Sequence, residues 1–257
     1  PNDSSANQYI SESVYNSSYN DNAYVGYMYG SVRSSTYEAT HANTNSSTIK
    51  EVIDEWYQNN LRSYSAYIAD AIYCNDREVI NNFNLTAGEE TTSFTGNGSG
   101  INQTAYTSAK RNYVDHNPTL KCTNKNDRFT TSSLLGNGAL TYPIGLATTD
   151  EVVMGGGAGI DYATMTFITN DSYYLYPKNG DYCYWTMTPF AFFASSDATD
   201  SSAFVYGVAR GLVFDVGVSY NDECSAVRPV VSLVSDAIVG GDGTVGNPFY
   251  VNEKYSG

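Results

Sequence analysis

The chain has 257 residues and a formal net charge of −14 at pH 7, with a sequence pI near 4.3. This charge repels the phosphates of nucleic acids and anionic membrane surfaces, so the composition argues against both as partners. Hydrophobic residues make up 41% of the chain and aromatic residues 14%, with 24 tyrosines, which suits both a core and a recognition surface. No apolar run approaches the roughly 20 residues of a membrane-spanning helix, so direct membrane insertion is not expected.

The four cysteines indicate the compartment in which the protein folds. They allow three pairings, and none lies in a C-x-x-C motif, which disfavours a zinc site. We favour Cys74–Cys122 and Cys183–Cys224, because each pair falls within one half of the chain. Such disulfides form in an oxidising, extracellular setting, whereas four free thiols in a reducing cell are the alternative. Because the chain begins at Pro1 rather than Met, we also expect a signal or anchor segment to have been removed.

The clearest helix signal lies in the N-terminal half. Thr48 and Glu51 have capping-box spacing, and the apolar residues around them recur with the period of a helix facing a core. These apolar positions are Ile49, Val52, Ile53, Trp56 and Tyr57. A second helix is predicted over Tyr64–Tyr73, and long loops are predicted over Asn75–Lys125, where helix and strand breakers are frequent. Thr148 and Glu151 repeat the capping-box spacing ahead of a short helix.

Strand signals are scattered along the chain. Aromatic or apolar runs predict strands at Tyr24–Val32, Tyr142–Leu146, Asp171–Tyr176 and Phe249–Asn252. We expect the last of these to pair with the first, which would bring the two termini together. Asn179-Gly180 is a strong signal for a hairpin turn. Residues 1–22 show no period and are predicted to be a lead-in or linker to one domain over 23–257.

The stretch Tyr182–Leu233 combines rigid ends with an adaptable middle. Its closing segment, Val227–Leu233, reads as a buried strand, and its opening holds Trp and Pro. The residues expected to hold the scaffold are Trp185, Pro189, Val205, Val208, Leu212, Arg228 and Pro229. Between these ends, small, polar and aromatic residues alternate, as on a binding surface carried by a fixed scaffold. The residues expected to face a ligand are Phe193, Ser195, Asp197, Tyr206, Phe214, Asp215, Tyr220, Asn221 and Asp222. Ordinary surface strands and loops are the alternative.

The sequence contains few motifs that indicate catalysis or metal binding. Its two histidines, His41 and His116, are not at ligand spacing from other metal-binding residues. The run Gly155–Gly159 lacks the Lys-Ser/Thr of a phosphate-binding loop. No G-x-S-x-G motif supports a serine nucleophile, although the members of a catalytic triad need not be adjacent. We therefore expect no catalytic residues, no metal and no cofactor.

Several motifs occur in a fixed order along residues 24–251. They are YVGYMYGS, STIK with DEW, CNDR, NDRF, ALTYPIGLATTDEV, YWTMTP, VRPVVSL and GGDGTVGNPFYV. Together they resemble a family of surface proteins from gut-dwelling Firmicutes, often carrying a prepilin-like N-terminal anchor. The C-terminal half resembles the C-type-lectin-like fold, in the branch shared with formylglycine-generating enzymes and with the variable proteins of diversity-generating retroelements. The resemblance implies an α+β domain with mixed short antiparallel sheets, two main helices and long loops.

The resemblance also implies how a binding face would vary. In retroelement-diversified proteins, mutated AAY codons cannot encode Trp, Met, Lys, Glu or Gln. None of these five occurs over Phe190–Asp222, which points to a variable segment at about 190–222. The Glu-Pro-Asn and Trp-Asn-Asp motifs of calcium-dependent lectins are absent, and the catalytic cysteines of formylglycine-generating enzymes have no clear match.

These observations lead us to expect a surface-displayed, non-enzymatic binding protein, an adhesin or receptor-type binder. Its partner would be a protein or glycan ligand on another cell, a host or a phage. It would act extracellularly at the cell surface. There it would be anchored by the N-terminal segment that we expect to have been removed from this sequence. A structural pilin or cell-envelope subunit is the alternative, and an enzyme like the formylglycine-generating enzymes ranks lowest.

Overall fold

The computed structural model describes residues 9–161, 166–167, 173, 182–197, 199–220, 224–242, 244, 246–247 and 249–251. The fold is α+β, with one larger mixed sheet, several two-stranded ladders and few helices. The strands of the sheet are β1 (Ser11–Glu12), β2 (Val79–Ile80), β3 (Thr104–Tyr106), β4 (Ala158–Asp161), β5 (Thr166–Phe167), β6 (Tyr184–Phe193), β7 (Ser202–Ala209), β8 (Leu212–Gly217) and β9 (Ala226–Val227).

The antiparallel strands β6, β7 and β8 form the centre of this sheet. The strand order is β1-β9-β6-β7-β8-β4-β5, and β3 pairs with the far end of β6 and with β2. The β6–β9 and β8–β4 pairs are parallel, and the other pairs are antiparallel. The smaller ladders join Met28–Tyr29 to Asn45–Ser46, Tyr73–Cys74 to Arg128–Phe129, Gly145–Leu146 to Pro229–Val230, Ile68–Ala69 to Ser232–Leu233, Phe83–Ala87 to Glu90–Phe94 and Ile238–Gly240 to Tyr250–Val251.

The helices are short apart from one. They are α1 (Tyr37–Thr40), α2 (Thr48–Asn60), α3 (Thr107–Lys110), which continues as a π-helical turn over Arg111–Asp115, and α4 (Thr149–Met154). Single 3₁₀ segments occupy Asn22–Val25, Arg62–Tyr67 and Lys125–Asp127. No helix in the described ranges is long and apolar enough to cross a membrane.

Helix α2 forms where its apolar stripe predicts it. Ile49, Ile53 and Tyr57 are buried, and Val52 and Trp56 pack against the same core. The N-cap is Ser47 rather than Thr48, because the Ser47 hydroxyl accepts a hydrogen bond from the Lys50 N–H.

Helix α4 begins with the full capping box that its sequence predicts. The Thr148 hydroxyl accepts from the Glu151 N–H, and the Glu151 carboxylate accepts from the Thr148 N–H.

The core occupies both faces of the sheet. One face packs against α2 and carries Tyr15, Trp185, Met187, Val205 and Val216. The other packs against the segment Thr107–Asp115 and α4, and its buried residues include Tyr113, Phe190, Tyr206, Val208 and Val213. Along β7, Val205 and Tyr206 alternate between the two as the period of a pleated strand requires, whereas β6 contains register shifts around Pro189. The expected scaffold residues Trp185, Pro189, Val205, Val208 and Leu212 are buried, while Arg228 and Pro229 are partly exposed.

Both expected disulfides are present, which settles the choice between the three pairings. Cys74 is joined to Cys122 across 48 residues, and Cys183 to Cys224 across 41 residues. The first ties the ladder strand Tyr73–Cys74 to the loop before Arg128. The second closes over Gly207 in β7 and joins β6 to the segment leading into β9.

Several predicted elements differ from the structure. Tyr24–Val32 is not one strand: it opens as a 3₁₀ turn, capped by the Asp21 carboxylate, and only Met28–Tyr29 pair. Tyr64–Tyr73 is not a helix, since a 3₁₀ turn runs directly into the paired strand Ile68–Ala69. The last strand, Tyr250–Val251, pairs with Ile238–Gly240 instead of the N-terminal region. Leu233, expected in a buried strand, is exposed.

Two larger corrections concern whole segments. Asn75–Lys125 holds a regular hairpin, strand β3 and the helical segment Thr107–Asp115 instead of loops alone. Residues 9–22 are packed into the domain rather than leading up to it, because β1 pairs with β9 and Tyr15 is buried beside Trp185. The predicted turn at Asn179-Gly180 lies outside the described residues, as does all of the predicted strand Asp171–Tyr176 except Tyr173.

Candidate ligand-binding surface

The end of the sheet at Phe193 is only partly covered by other elements. Phe193 ends β6 and pairs with Ser202, and Phe204 follows on β7. The Phe193 and Phe204 rings lie edge to face with their centroids 5.1 Å apart, and both rings are partly exposed. Beneath them, the buried Phe94 ring of the hairpin packs against Phe193 at 5.3 Å. The hairpin that the sequence did not reveal therefore supports the strand end from below.

The Tyr220 ring lies against Gly217, the residue of β8 that pairs with Phe204. Gly217 pairs with Phe204, so both point to the same face of the sheet. A Cβ atom at Gly217 would lie 3.0 Å from the Cδ2 and Cε2 atoms of Tyr220, so the glycine leaves room for the ring. The Tyr220 side chain is 48% exposed. Phe193, Phe204, Tyr220 and the nearby Asp215 form what we call the aromatic end of the sheet.

Asp215 contributes a carboxylate to this surface. It pairs with Tyr206 across β7 and β8 and is partly exposed. The Tyr113 hydroxyl donates to Asp215 Oδ1 at 2.9 Å, which fixes the carboxylate against the π-helical turn. Tyr113 also packs edge to face on Phe190 and Tyr206, so a stacked aromatic layer holds the position of Asp215.

The loop between β6 and β7 borders the aromatic end and is ordered by its own hydrogen bonds. The Ser195 N–H donates to Ser201 Oγ at 2.9 Å. Asp197 Oδ1 accepts from the Thr199 N–H at 2.9 Å and from its hydroxyl at 2.8 Å. These bonds lower the pKa of the exposed Asp197 carboxyl below its usual value. The loop thus presents Ser195 and Asp197 to solvent, with Asp197 ionised at neutral pH.

The structure separates the residues that the sequence placed on one surface. Phe193, Ser195, Asp197, Asp215 and Tyr220 lie at or beside the aromatic end. The expectation that Tyr206 faces a ligand is wrong, because its side chain is fully buried and its hydroxyl donates to the Ser108 carbonyl at 3.3 Å.

Phe214 points away from the aromatic end. It pairs with Gly207, whose side faces the Cys183–Cys224 disulfide, and its ring packs against both core clusters. The expectation that Phe214 shares a surface with Asp215 is therefore wrong, since adjacent residues of a strand face opposite sides. Asn221 and Asp222 lie outside the described residues.

Phe204 and Tyr113 belong to this site, and sequence reasoning did not identify them. Phe204 is two positions from Tyr206, so the strand period alone could have placed it on the same face as Asp215. Tyr113 lies in a region where no helix was predicted, and nothing local to it indicated a contact with β8.

The aromatic end combines partly or fully exposed aromatic rings with two carboxylates. Its carboxylates are those of Asp197, in the loop before β7, and of Asp215, in β8. In the described part of the chain, no group of three His, Cys, Asp or Glu side chains is placed to hold a metal ion.

Comparison of the chain with models of protein families, with curated proteins and with solved structures yields no match.

Proposed function

We propose that this chain is a surface-displayed binding protein with a C-type-lectin-like fold, an adhesin or receptor-type binder without enzymatic activity. Its contact surface is the aromatic end of the sheet together with the loop that carries Ser195 and Asp197. The observation that carries the proposal is the partly exposed group of Phe193, Phe204 and Tyr220 on a rigid, fully packed sheet. Rigid aromatic rings provide contact area at low entropic cost, and nearby Ser and Asp side chains provide adaptable hydrogen bonds.

The position of this surface suits a face whose side chains vary. Its residues lie on strand ends and a loop, while the layer below is buried: Phe190, Tyr206 and Phe94. Exchange of the outer side chains would leave that layer in place. This supports the further proposal that a retroelement diversifies the segment at about 190–222.

The ligand we propose is a protein or a glycan on another cell, a host or a phage. The surface carries carboxylates and no Lys or Arg among its named residues, so it favours neutral or basic ligands over anionic ones. The two disulfides fit an extracellular setting.

Replacement of Tyr220 by alanine tests the proposal. The labelled chain would be screened on arrays of glycans and of bacterial surface proteins, and on intact bacterial cells. Removal of a half-exposed aromatic ring from the contact should weaken binding by roughly thirtyfold or more, as expected for a central contact residue. Tyr64→Ala is the matched control, because Tyr64 is 50% exposed on a different segment. The melting temperature of both variants should stay near that of the parent chain.

Two results would count against this function. Binding that Tyr220→Ala and Asp197→Ala both leave unchanged would place the contact elsewhere. Concentration-dependent self-association that Tyr220→Ala abolishes, with no binding to any array, would instead indicate a structural subunit.

A further inference from the structure

A second concave site lies at the β2 edge of the sheet. It is a cleft of about 490 Å³ bordered by Tyr37, Glu78, Asn81, Asn97 and Thr123. This volume lies within the range of about 300–1,000 Å³ that is typical of small-molecule sites. The cleft shares no residue with the aromatic end, so its role does not depend on the function proposed above.

Polar groups that point into this cleft retain unused hydrogen-bonding capacity. The Asn81 amide makes no hydrogen bond with any residue that the structure describes. Asn97 Oδ1 accepts from the Ser99 hydroxyl at 2.7 Å and from Asn102 Nδ2 at 3.1 Å, which leaves the Asn97 NH₂ group for a ligand. Glu78 Oε2 accepts from the Thr123 hydroxyl at 3.4 Å, which leaves Oε1. The cleft thus offers donors from two amides and an acceptor from one carboxylate.

An aromatic ring forms the apolar part of the cleft. The Tyr37 hydroxyl donates to the Arg77 carbonyl at 3.0 Å, and the ring packs on His41 with centroids 4.5 Å apart. At Gly98, where φ is +77°, a Cβ atom would lie 2.7 Å from Val79 Cγ2 and 2.9 Å from Tyr37 Cδ2. The glycine therefore leaves room for the Tyr37 ring and the Val79 side chain, which both border the cleft.

The wall formed by Thr123 and Asn124 is held by a disulfide and by two hydrogen bonds. Thr123 and Asn124 follow Cys122, whose disulfide to Cys74 anchors the segment. Arg128 donates from Nε to the Cys122 carbonyl at 2.7 Å and from an NH₂ group to the Thr123 carbonyl at 3.0 Å. A wall held in this way loses little conformational freedom on binding, which favours affinity.

We propose that this cleft binds a neutral saccharide, with one pyranose ring against Tyr37. Vicinal hydroxyls of a sugar both donate and accept, so they can donate to Glu78 and accept from the amides of Asn81 and Asn97. The C–H face of the ring packs on the aromatic side chain. Glu78 and the net charge of −14 disfavour an acidic sugar.

Titration of the full chain with single sugars tests this site. The probes are the methyl glycosides of glucose, galactose, mannose and N-acetylglucosamine, with N-acetylneuraminic acid as the acidic comparison. In ¹H–¹⁵N NMR spectra, at least one neutral glycoside should shift the amide signals of residues 78–81, 97–98 and 123–124. Asn81→Ala and Glu78→Gln should each weaken that binding about tenfold, as expected when one hydrogen bond is lost.

Asn59→Ala is the matched control, because Asn59 is an exposed asparagine on α2 and borders no part of the cleft. It should leave the affinity unchanged, and all variants should keep the parent melting temperature. The inference is overturned if no neutral glycoside shifts these signals at high millimolar concentration. It is equally overturned if the acidic sugar binds as well as the neutral ones, or if Asn81→Ala and Glu78→Gln bind like the parent chain.

Discussion

At the scale of single residues, the free space around a Cα atom determines which side chain fits there. Gly207, in the middle of β7, shows this most directly. A Cβ atom there would lie 2.6 Å from the Cys183 sulfur and 2.9 Å from the Cys224 sulfur. Gly207→Ala should therefore lower the free energy of unfolding by about 1–3 kcal/mol, because the disulfide or the strand must shift. Urea denaturation monitored by tyrosine fluorescence measures the change.

Gly246→Ala is the control for that substitution. Apart from its chain neighbours, no atom of the described residues lies within 4 Å of a Cβ at Gly246, so the control should alter the unfolding free energy by no more than about 0.5 kcal/mol. Equal stability of the two variants would mean that the disulfide and β7 accommodate a methyl group without cost.

The sequence indicated which residues belong to the buried scaffold better than it indicated which face of the sheet each residue occupies. Trp185, Val205 and Val208 could be assigned to the scaffold because apolar residues in strand-like runs are usually buried. Tyr206 was assigned to the wrong side, since a tyrosine serves equally on either side of a sheet. Its burial depends on the segment Thr107–Asp115 packing over it, and that segment is distant in sequence.

At the scale of elements, local capping decided which helices could be predicted. Thr148 and Glu151 form a reciprocal capping box at the start of the six-residue α4. Thr148→Ala removes the acceptor of the Glu151 N–H, and we expect a loss of about 1 kcal/mol in the free energy of unfolding. Thr148→Ser keeps the hydroxyl and should restore most of that loss. Chemical denaturation compares the three proteins, and a serine variant as unstable as the alanine variant would argue against a capping role.

The hairpin Phe83–Phe94 was not predicted from the sequence, although its first strand has a regular period. Its first strand buries Phe83 and Leu85 with the period of two that predicts a strand. The Gly, Asn, Ser and Thr residues around it are typical of loops, so the sequence predicts loops here instead of a hairpin. The helix Thr107–Asp115 has no side-chain N-cap and ends in a π-helical turn, so it carries no local start signal. Both elements are stabilised chiefly by packing on β6 and β7, which no local pattern encodes.

At the scale of the whole molecule, the two disulfides close long segments, with a sequence separation of 48 residues for Cys74 and Cys122 and of 41 for Cys183 and Cys224. Cys74–Cys122 encloses the hairpin and the segment Thr107–Asp115, the two elements that support the aromatic end, and it anchors one wall of the saccharide cleft. Both proposed sites depend on this enclosed segment. Each site therefore requires contacts between parts of the chain that are distant in sequence. The pairing itself followed from the division of the cysteines between the two halves of the chain.

The stability of the whole molecule should fall in weak acid because His41 is buried and neutral. Burial, reinforced by the nearby Arg77 guanidinium, holds the pKa of His41 well below 6.5, while the hydrogen bond to the Gly98 carbonyl opposes this weakly. In the unfolded chain His41 takes up a proton near pH 6.5, and the folded chain does not. The unfolded state therefore binds more protons in this range, and the contribution of His41 is complete above pH 6.5 and lost as the pH falls below it. Between about pH 7.5 and 5.5, the free energy of unfolding should decrease by on the order of 1 kcal/mol from this group. Urea denaturation across that range measures the slope, and His41→Gln should reduce it by this amount whatever its effect on absolute stability. An unchanged slope in His41→Gln would assign the acid sensitivity to other groups.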